Sequence, residues 1–277
     1  MSTSHVDVVP LVRDVNRQHE AGWCSSGSAS TLVDSPEVEI FCGGINTKGP
    51  NYAALWRQGN LLHFGFEPSP AEMNDTGRAM LINSIHYIGR FTEDRPIART
   101  PSVFNNAAWF RSRDSVDRMF EEKTADKPYL EYYFAKACLA RGNVDDLAAF
   151  RTWYEANRPH LHAGADGLLT IDDEAKALGL AFSSTNFFER AFAMVQSGGD
   201  KAEAARRLLG RYAPDGPEAV APLERWQSWW KENAPYLFFT DFGGYKWMID
   251  PLAKKRGIPT AQLRGAARAT AQIERNN

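Results

Sequence analysis

Apolar and polar positions follow two different patterns along the chain, and each pattern predicts a different kind of element. Two short apolar runs, residues 38–42 and 60–66, are typical of strands. The segment between these runs is rich in glycine, proline and asparagine, which indicates turns and loops. After residue 69 the apolar positions follow helical spacing instead.

The first helix is predicted from a capping-box sequence, Ser69-Pro70-Ala71-Glu72, which has proline at the first helical position. We expect one face of this helix to pack on the preceding strands. Its members are Met73, Gly77, Met80, Leu81, Ser84, Ile85 and Ile88. Strands followed by such a helix predict a small α/β segment over residues 1–92.

Helical patterns dominate the remainder of the chain, so a mainly helical domain is predicted over residues 93–277. A linker rich in proline and asparagine covers residues 92–106. Three helices are then expected over about residues 112–123, 128–141 and 144–156, with Asn143 capping the third. The predicted fold class is therefore α+β and mostly helical.

Two segments of the helical domain resemble each other closely. Residues 153–161 align with residues 229–237, and after a two-residue insertion residues 171–180 align with residues 249–258. Nine positions in these ranges are identical, and the match of Gly167 with Gly243 makes ten; several are rare residue types, so the similarity indicates a tandem duplication. The pattern predicts two helix–hairpin–helix units, near residues 150–180 and 226–258.

The shared asparagines and glycines have folding explanations in this scheme. Asn157 and Asn233 lie where the first helix of each copy must end, because proline follows two residues later. We expect both asparagines to adopt the left-handed cap conformation. Gly167 and Gly243 lie in turn sequences and are matched as the residues that reverse each hairpin.

The second helix of each copy carries start and stop residues. Asp172 and Asp250 are placed as N-caps. Gly179 and Gly257 follow the helices and precede an apolar residue, as in a Schellman closure. The shared residues are therefore interpreted as architectural, and chemistry is sought where the copies differ.

One such difference is the pair His160 and His162 in the first hairpin. The spacing places two imidazoles on one face of a strand, which can bind zinc or another transition metal. The second copy has Tyr236 and Phe238 at these positions. Because no further ligand can be named, neither a metal site nor any other cofactor is predicted.

A cysteine nucleophile is a second possibility. Cys24 lies in a loop-like sequence, and His63 at a strand end could serve as its base. Such a site also needs a third group, and nothing in the sequence fixes the proximity of the two residues. The alternative is that the three cysteines are buried free thiols.

The second copy is rich in aromatic residues, and aromatic platforms bind sugars and peptides. The predicted ligand-binding residues are Trp230, Tyr236, Asp241, Tyr245 and Trp247. The aspartate could orient a polar ligand. The competing interpretation is a satellite hydrophobic core.

Composition narrows the classes of partner. With a formal net charge of −2, the chain has no overall positive potential that would attract nucleic acid or an anionic membrane. No apolar stretch is long enough to cross a membrane. No signal-peptide pattern opens the chain, so a cytoplasmic location is the default expectation. Because the opening residues read like the middle of a longer chain, an exported protein is expected if the N-terminus is incomplete.

Residues 36–92 resemble the closing strands and last helix of class I glutamine-amidotransferase-like domains of the trehalose-utilisation (ThuA-like) branch. The resemblance rests on residues 39–41, residues 57–65 and the helix from Gly77 to Phe91. It implies an α/β fold, and without a nucleophile elbow it implies no catalytic residue. Residues 236–257 resemble segments of uncharacterised bacterial proteins, many of them exported.

Two functional hypotheses follow. The first is a non-catalytic module that binds a small polar ligand or a protein. The alternative is a hydrolase whose site lies between the α/β segment and the helical region, with His63, His160 or His162 and an acidic partner. Polar, titratable residues that converge from distant segments would favour the second hypothesis.

Overall fold

A computed structural model of the chain describes residues 11, 24, 38–46, 49–67, 69–94, 111–241 and 244–261. This part of the chain is α+β and mostly helical, as predicted. The chain divides into two units. The first comprises Met1–Ile97 with Asp250–Asn277, and the second comprises Ala98–Ile249.

The first unit contains an antiparallel sheet of three strands in the order β1-β2-β3. The strands are β1 (Val38–Asn46), β2 (Gly49–Gln58) and β3 (Leu61–Phe64). The sequence predicts a loop where β2 lies, and that prediction is wrong. Buried Ala53, Ala54 and Leu55 fill the middle of β2, while its glycine and proline fall at the strand end, where proline interrupts the ladder least.

Helix α1 (Asp75–Ile88) begins later than the capping-box sequence predicts. The predicted contact between Ser69 and Glu72 exists, with the Ser69 amide donating to Glu72 Oε2 over 2.9 Å. That contact closes a turn ahead of the helix. Asn74 is the actual N-cap, and its side chain accepts the Gly77 amide.

The buried face of α1 consists of small residues. Gly77 and Ser84 are buried, whereas Ile85 is 61% exposed, so the predicted apolar face is wrong at Ile85. Glycine is required at residue 77 because a Cβ atom there would lie 2.4 Å from the carbonyl oxygen of Leu11.

The second unit opens with helices α2 (Arg113–Glu121), α3 (Lys127–Tyr133), α4 (Lys136–Gly142) and α5 (Leu147–Asn157). The single helix predicted over residues 128–141 is two helices, because Phe134 is extended and bridges to Leu169. Asn143 is not the N-cap of α5. It ends α4 in the left-handed conformation, and Asp146 caps α5.

The predicted duplication is confirmed. Each copy has a helix, a 3₁₀ turn, a two-stranded hairpin and a short helix. The first copy comprises α5, Arg158–His160, β4 (Leu161–Ala163), β5 (Leu169–Ile171) and α6 (Asp173–Ala177). Helices α7 (Phe187–Ser197) and α8 (Asp200–Tyr212) follow. The second copy comprises α9 (Leu223–Asn233), Ala234–Tyr236, β6 (Leu237–Thr240), β7 (Lys246–Ile249) and α10 (Pro251–Arg256).

The two hairpins share their register at the base and differ at the tip. In each copy the shared leucine that opens the hairpin pairs with the shared isoleucine that closes it, Leu161 with Ile171 and Leu237 with Ile249. The second hairpin has one further pair, Thr240 with Lys246. The second hairpin therefore has one more paired residue on each strand.

This register corrects the predicted match between the turn glycines. Gly167 and Gly244 both have positive φ, 76° and 86°. The Gly167 amide donates to Gly164 O over 2.9 Å, and the Gly244 amide donates to Asp241 O over 3.1 Å. The equivalent of Gly167 is therefore Gly244 and not Gly243, which lies outside the described residues.

The shared asparagines cap their helices in a way that was not predicted. Asn157 and Asn233 have φ of −106° and −107°, so neither is left-handed. Each side-chain amide donates to the carbonyl four residues back, that of Trp153 over 2.7 Å or of Trp229 over 2.8 Å. In the first copy Lys176 Nζ donates to Asn157 Oδ1 over 2.6 Å, which ties the two helices together.

The caps predicted for the short helices are present. The Asp172 side chain accepts the Ala175 amide, and the Asp250 side chain accepts the Ala253 amide. The Schellman closures are also confirmed, because Gly179 and Gly257 have positive φ. The Leu180 amide donates to Ala175 O over 2.8 Å, and the Ile258 amide donates to Ala253 O over 3.1 Å.

Replacing Gly257 by alanine tests the closure of α10. Gly257 has φ of 64° and no neighbouring atom within 4 Å, so a methyl group would meet only backbone strain. We expect Gly257→Ala to lower the free energy of unfolding by about 1 kcal/mol. The measurement is urea unfolding followed by circular dichroism.

The matched control is Gly89→Ala, because Gly89 ends α1 with φ of −58° and has room for a methyl group. This variant should lose no stability. Equal losses in both variants would contradict the role given to the left-handed glycine.

Candidate functional site

The second unit contains a buried ion pair between Arg113 and Asp241, whose side chains are 3% and 5% exposed. The Asp241 carboxylate accepts the Arg113 amide over 2.8 Å, Nε over 3.1 Å and Nη2 over 2.5 Å. Arg113 Nη1 donates to Ser183 Oγ over 3.0 Å and to Arg158 O over 3.3 Å. Asp241, predicted to orient a ligand, is therefore occupied by contacts within the protein.

Two more of the predicted ligand-binding residues lie in the core. Tyr245 is 3% exposed, and its hydroxyl donates to Arg111 O. Burial raises the pKa of Tyr245, so its phenol stays protonated. Trp247 is 5% exposed, and its indole Nε1 donates to Phe182 O over 2.6 Å. These contacts give both side chains packing roles.

Trp230 and Tyr236 retain some surface. Both are half-buried, and Trp230 stacks on Phe188 with ring centroids 4.6 Å apart. Most of the aromatic set thus belongs to a hydrophobic core that also contains Trp226 and Phe187.

His160 and His162 do not share a strand. His160 ends the 3₁₀ turn, and strand β4 begins at the next residue. Both ring nitrogens of His160 are buried without a hydrogen-bond partner in the described part of the chain. Burial, followed by the charge of Lys176, lowers the pKa of His160. Within the described residues no group of three potential metal ligands occurs.

Cys24 and His63 lie in the first unit. Cys24 is 1% exposed and bridges to Phe66, and burial raises the pKa of its thiol, which disfavours the thiolate a nucleophile needs. His63 on β3 lies opposite Trp56 on β2, and the two rings stack with their centroids 5.4 Å apart.

A group of titratable residues from distant segments meets where the two hairpins approach α8. We name it the hairpin-junction cluster; its members are His162, Asp172, Arg211, Tyr212 and Lys246. Two of them flank a buried carboxylate: Arg211 Nη1 and the Tyr212 hydroxyl each donate to Asp172 Oδ2 over 2.6 Å. Burial opposes the charge of Asp172, but the hydrogen bonds it accepts outweigh burial and lower its pKa.

Aromatic stacking positions the cluster. The ring of Phe182 stacks on that of Tyr212, with centroids 4.1 Å apart and planes 12° apart. His162 meets the same Phe182 ring edge-on at 6.3 Å, and Lys246 Nζ lies 5.5 Å from the Tyr212 ring centre. The imidazole and the ammonium group are thus placed around one stacked pair of rings.

Lys246 pairs with Thr240 at the tip of the second hairpin. Its ammonium group donates to Arg211 O in the last turn of α8, where a cation complements the helix dipole. Burial, and then the charge of Arg211, lowers the pKa of Lys246. The side chain is half-buried, so the ammonium group is held in place and still reaches solvent.

The charges of the cluster do not cancel. Glu174 accepts Arg207 Nη2 over 2.6 Å and Arg211 Nη2 over 3.1 Å. Among the members of the cluster, Asp172 is one carboxylate against the two cations Arg211 and Lys246. With the neighbouring Glu174 and Arg207 included, there are two carboxylates against three cations. Lys246 has no carboxylate partner among the described residues. The cluster therefore carries an excess positive charge and unused N–H donors, an arrangement that can bind an anion.

The sequence interpretation missed this cluster, although one signal for it was present. Lys246 and His162 are both positions where the two copies differ, since the first copy has Leu168 and the second has Phe238 there. Arg211 and Tyr212 lie on α8, outside both copies, so no repeat comparison could find them.

No protein family model, curated protein or solved structure matches the chain. None of the helices in the described ranges is long and apolar enough to cross a membrane. Function is therefore inferred from the geometry of the site.

Removing one partner of the buried ion pair should strongly destabilise the second unit. Removing one partner leaves an unpaired charge in the core, so we expect Arg113→Met or Asp241→Asn to cost about 3–5 kcal/mol. The double variant should lose less than the sum of the two single losses, as measured in a double-mutant cycle by denaturant unfolding.

The control pair is Lys127 and Asp145, which are bonded over 2.6 Å but exposed, at 48% and 75%. Breaking it should change stability little, because surface ion pairs are weak. Strict additivity at Arg113 and Asp241 would contradict their direct coupling.

Acidification should destabilise the protein in the range where histidine titrates. Burial lowers the pKa of both His160 and His162 below the unfolded value of about 6.5. The unfolded chain therefore binds more protons there, and the free energy of unfolding should fall as the pH drops from about 7.5 to 5.5.

Denaturant unfolding across this range provides the measurement. His160→Tyr, which introduces the residue that the second copy has at this position, should flatten the profile in part. An unchanged pH profile in this variant would contradict the contribution of His160.

Proposed function

We propose that the second unit is a non-catalytic binding module and that its ligand is a small oxyanion held at the hairpin-junction cluster. The observation that carries the proposal is the placement of Lys246. Its ammonium group donates to Arg211 O, lies 5.5 Å from the centre of the Tyr212 ring and lacks a carboxylate partner in the described ranges. A half-buried cation of this kind is expensive to desolvate unless an anion compensates it.

Three kinds of donor are available to such a ligand. Lys246 uses one of its three N–H donors on the carbonyl of Arg211, and Arg211 uses two of its five on carboxylates. His162 adds an imidazole that no described residue engages in a hydrogen bond. Charged donors of this type form short, strong hydrogen bonds to oxyanions.

A small ligand fits the setting better than a protein surface does. Lys246 and His162 are half-buried, and Asp172 and Tyr212 beneath the cations are only 3% and 1% exposed. Recognition by a few partly buried polar groups is typical of small-molecule sites, whereas protein interfaces need a broad surface.

The comparison of the copies supports one site per chain. Counted back from the shared isoleucine, the position of Lys246 is occupied in the first copy by Leu168, whose carbonyl accepts the Gly164 amide over 2.8 Å. The duplication thus supplies the framework, and the second copy alone has a cation at this position.

Isothermal titration calorimetry with inorganic sulfate tests the proposal, with ionic strength held constant by sodium chloride. We expect a single site in the wild type and loss of binding in Lys246→Met. Thermal unfolding provides a second readout, since a ligand at 100 times its Kd adds about 2.7 kcal/mol to stability.

The matched control is Lys231→Met, which removes the same charge from an exposed position on α9. This variant should bind sulfate like the wild type. Sulfate also stabilises proteins by exclusion from their surfaces, and that effect would persist in Lys246→Met. Equal stabilisation of all three proteins, or a response to neutral sugars and not to sulfate, would overturn the proposal.

A further inference from the structure

Among the three kinds of donor in the cluster, the imidazole of His162 is the one whose charge can change near neutral pH. It lies on β4 opposite Thr170 and packs in a T-shaped arrangement with the buried Phe182 ring, with ring centroids 6.3 Å apart. Within the described residues its nitrogens have no hydrogen-bond partner, yet the side chain is only half-buried. The ring is therefore held by packing while its polar atoms remain available.

The charged groups that act on His162 come from four segments of the described part of the chain. Arg211 on α8, Lys246 on β7 and Arg113 on α2 oppose a positive charge on the ring, whereas Asp172 ahead of α6 favours it. Burial also opposes the charge, and the balance lowers the pKa of His162. Without a ligand the ring is thus neutral at neutral pH.

An oxyanion beside Lys246 and Arg211 would reverse this balance. Its negative charge would compensate the two cations that disfavour protonation of the ring. A protonated imidazole has a donor on each nitrogen, so it could bond the ligand and still carry charge into the site.

We propose that binding of the oxyanion is coupled to uptake of one proton by His162, so that the hairpin-junction cluster binds its ligand more tightly as the pH falls. This inference rests on the proposed function. By linkage, the group that the ligand helps to protonate must in turn strengthen ligand binding when it is protonated. Between the two protonation midpoints Kd should fall by up to about tenfold for each unit of pH.

Calorimetry with sulfate can count the proton, because sulfate does not itself titrate near neutral pH. The titration of the wild type is repeated at one pH, about 6.5, in buffers of different ionisation enthalpy. We expect the observed heat to vary with the buffer, which reports uptake of up to one proton per site, and Kd to fall from neutral pH to mildly acidic pH.

Two variants assign the proton. His162→Gln keeps a polar side chain of similar size and should bind sulfate with no proton uptake and no pH dependence of Kd. His160→Gln is the matched control. Both ring nitrogens of His160 are buried, so this variant should keep the uptake of a proton on sulfate binding. His162→Phe, which introduces the residue found at Phe238 in the second copy, serves as a second variant if the glutamine variant fails to fold.

The outcomes separate the two proposals. Absence of sulfate binding in the wild type at every pH overturns both. If Lys246→Met abolishes binding but the heat of binding to the wild type does not depend on the buffer, the binding-site proposal stands and the coupling is overturned. Proton uptake that survives in His162→Gln, or that disappears in His160→Gln, overturns the assignment to His162.

Discussion

The buried ion pair of Arg113 and Asp241 is the interaction on which the second unit depends. It joins two residues 128 positions apart, at the start of α2 and in the second hairpin. The same guanidinium group bonds Ser183 between the copies and lies 5.8 Å from the Phe182 ring. Because a buried charge without its partner is very unfavourable, these segments are held together. Phe182 stacks on Tyr212, so the ion pair also helps to fix the rings around which the hairpin-junction cluster assembles.

The duplication separates requirements of the fold from opportunities for chemistry. Shared residues cap helices, close turns and fix the hairpin register in both copies. Asp172, a shared cap, also accepts hydrogen bonds from Arg211 and Tyr212 of α8. Chemically distinctive residues lie where the copies diverge. His162 stands where the second copy has phenylalanine, and Lys246 comes from the strand pair that the first hairpin lacks. A repeated framework can thus position a site that occurs once.

The aromatic residues of the second copy show why residue type alone does not distinguish a binding surface from a core. A tryptophan or tyrosine suits both, since each combines a large apolar body with one polar group. Trp247 and Tyr245 satisfy that polar group with backbone carbonyls, those of Phe182 and Arg111. These partners lie 65 and 134 residues away in the chain, so the sequence around each aromatic residue does not reveal them.

By itself the sequence determined the fold class, the duplication, and the aspartate and glycine caps of the short helices. Caps and closures involve residues within five positions of each other, so their signals are local. Tertiary structure alone decided that β2 is a strand and that Asp241 is buried. It also assembled the hairpin-junction cluster, because the Asp172 carboxylate meets its arginine and tyrosine 39 and 40 residues later in the chain. Burial and charge pairing depend on which distant segments meet, and local spacing does not encode that meeting.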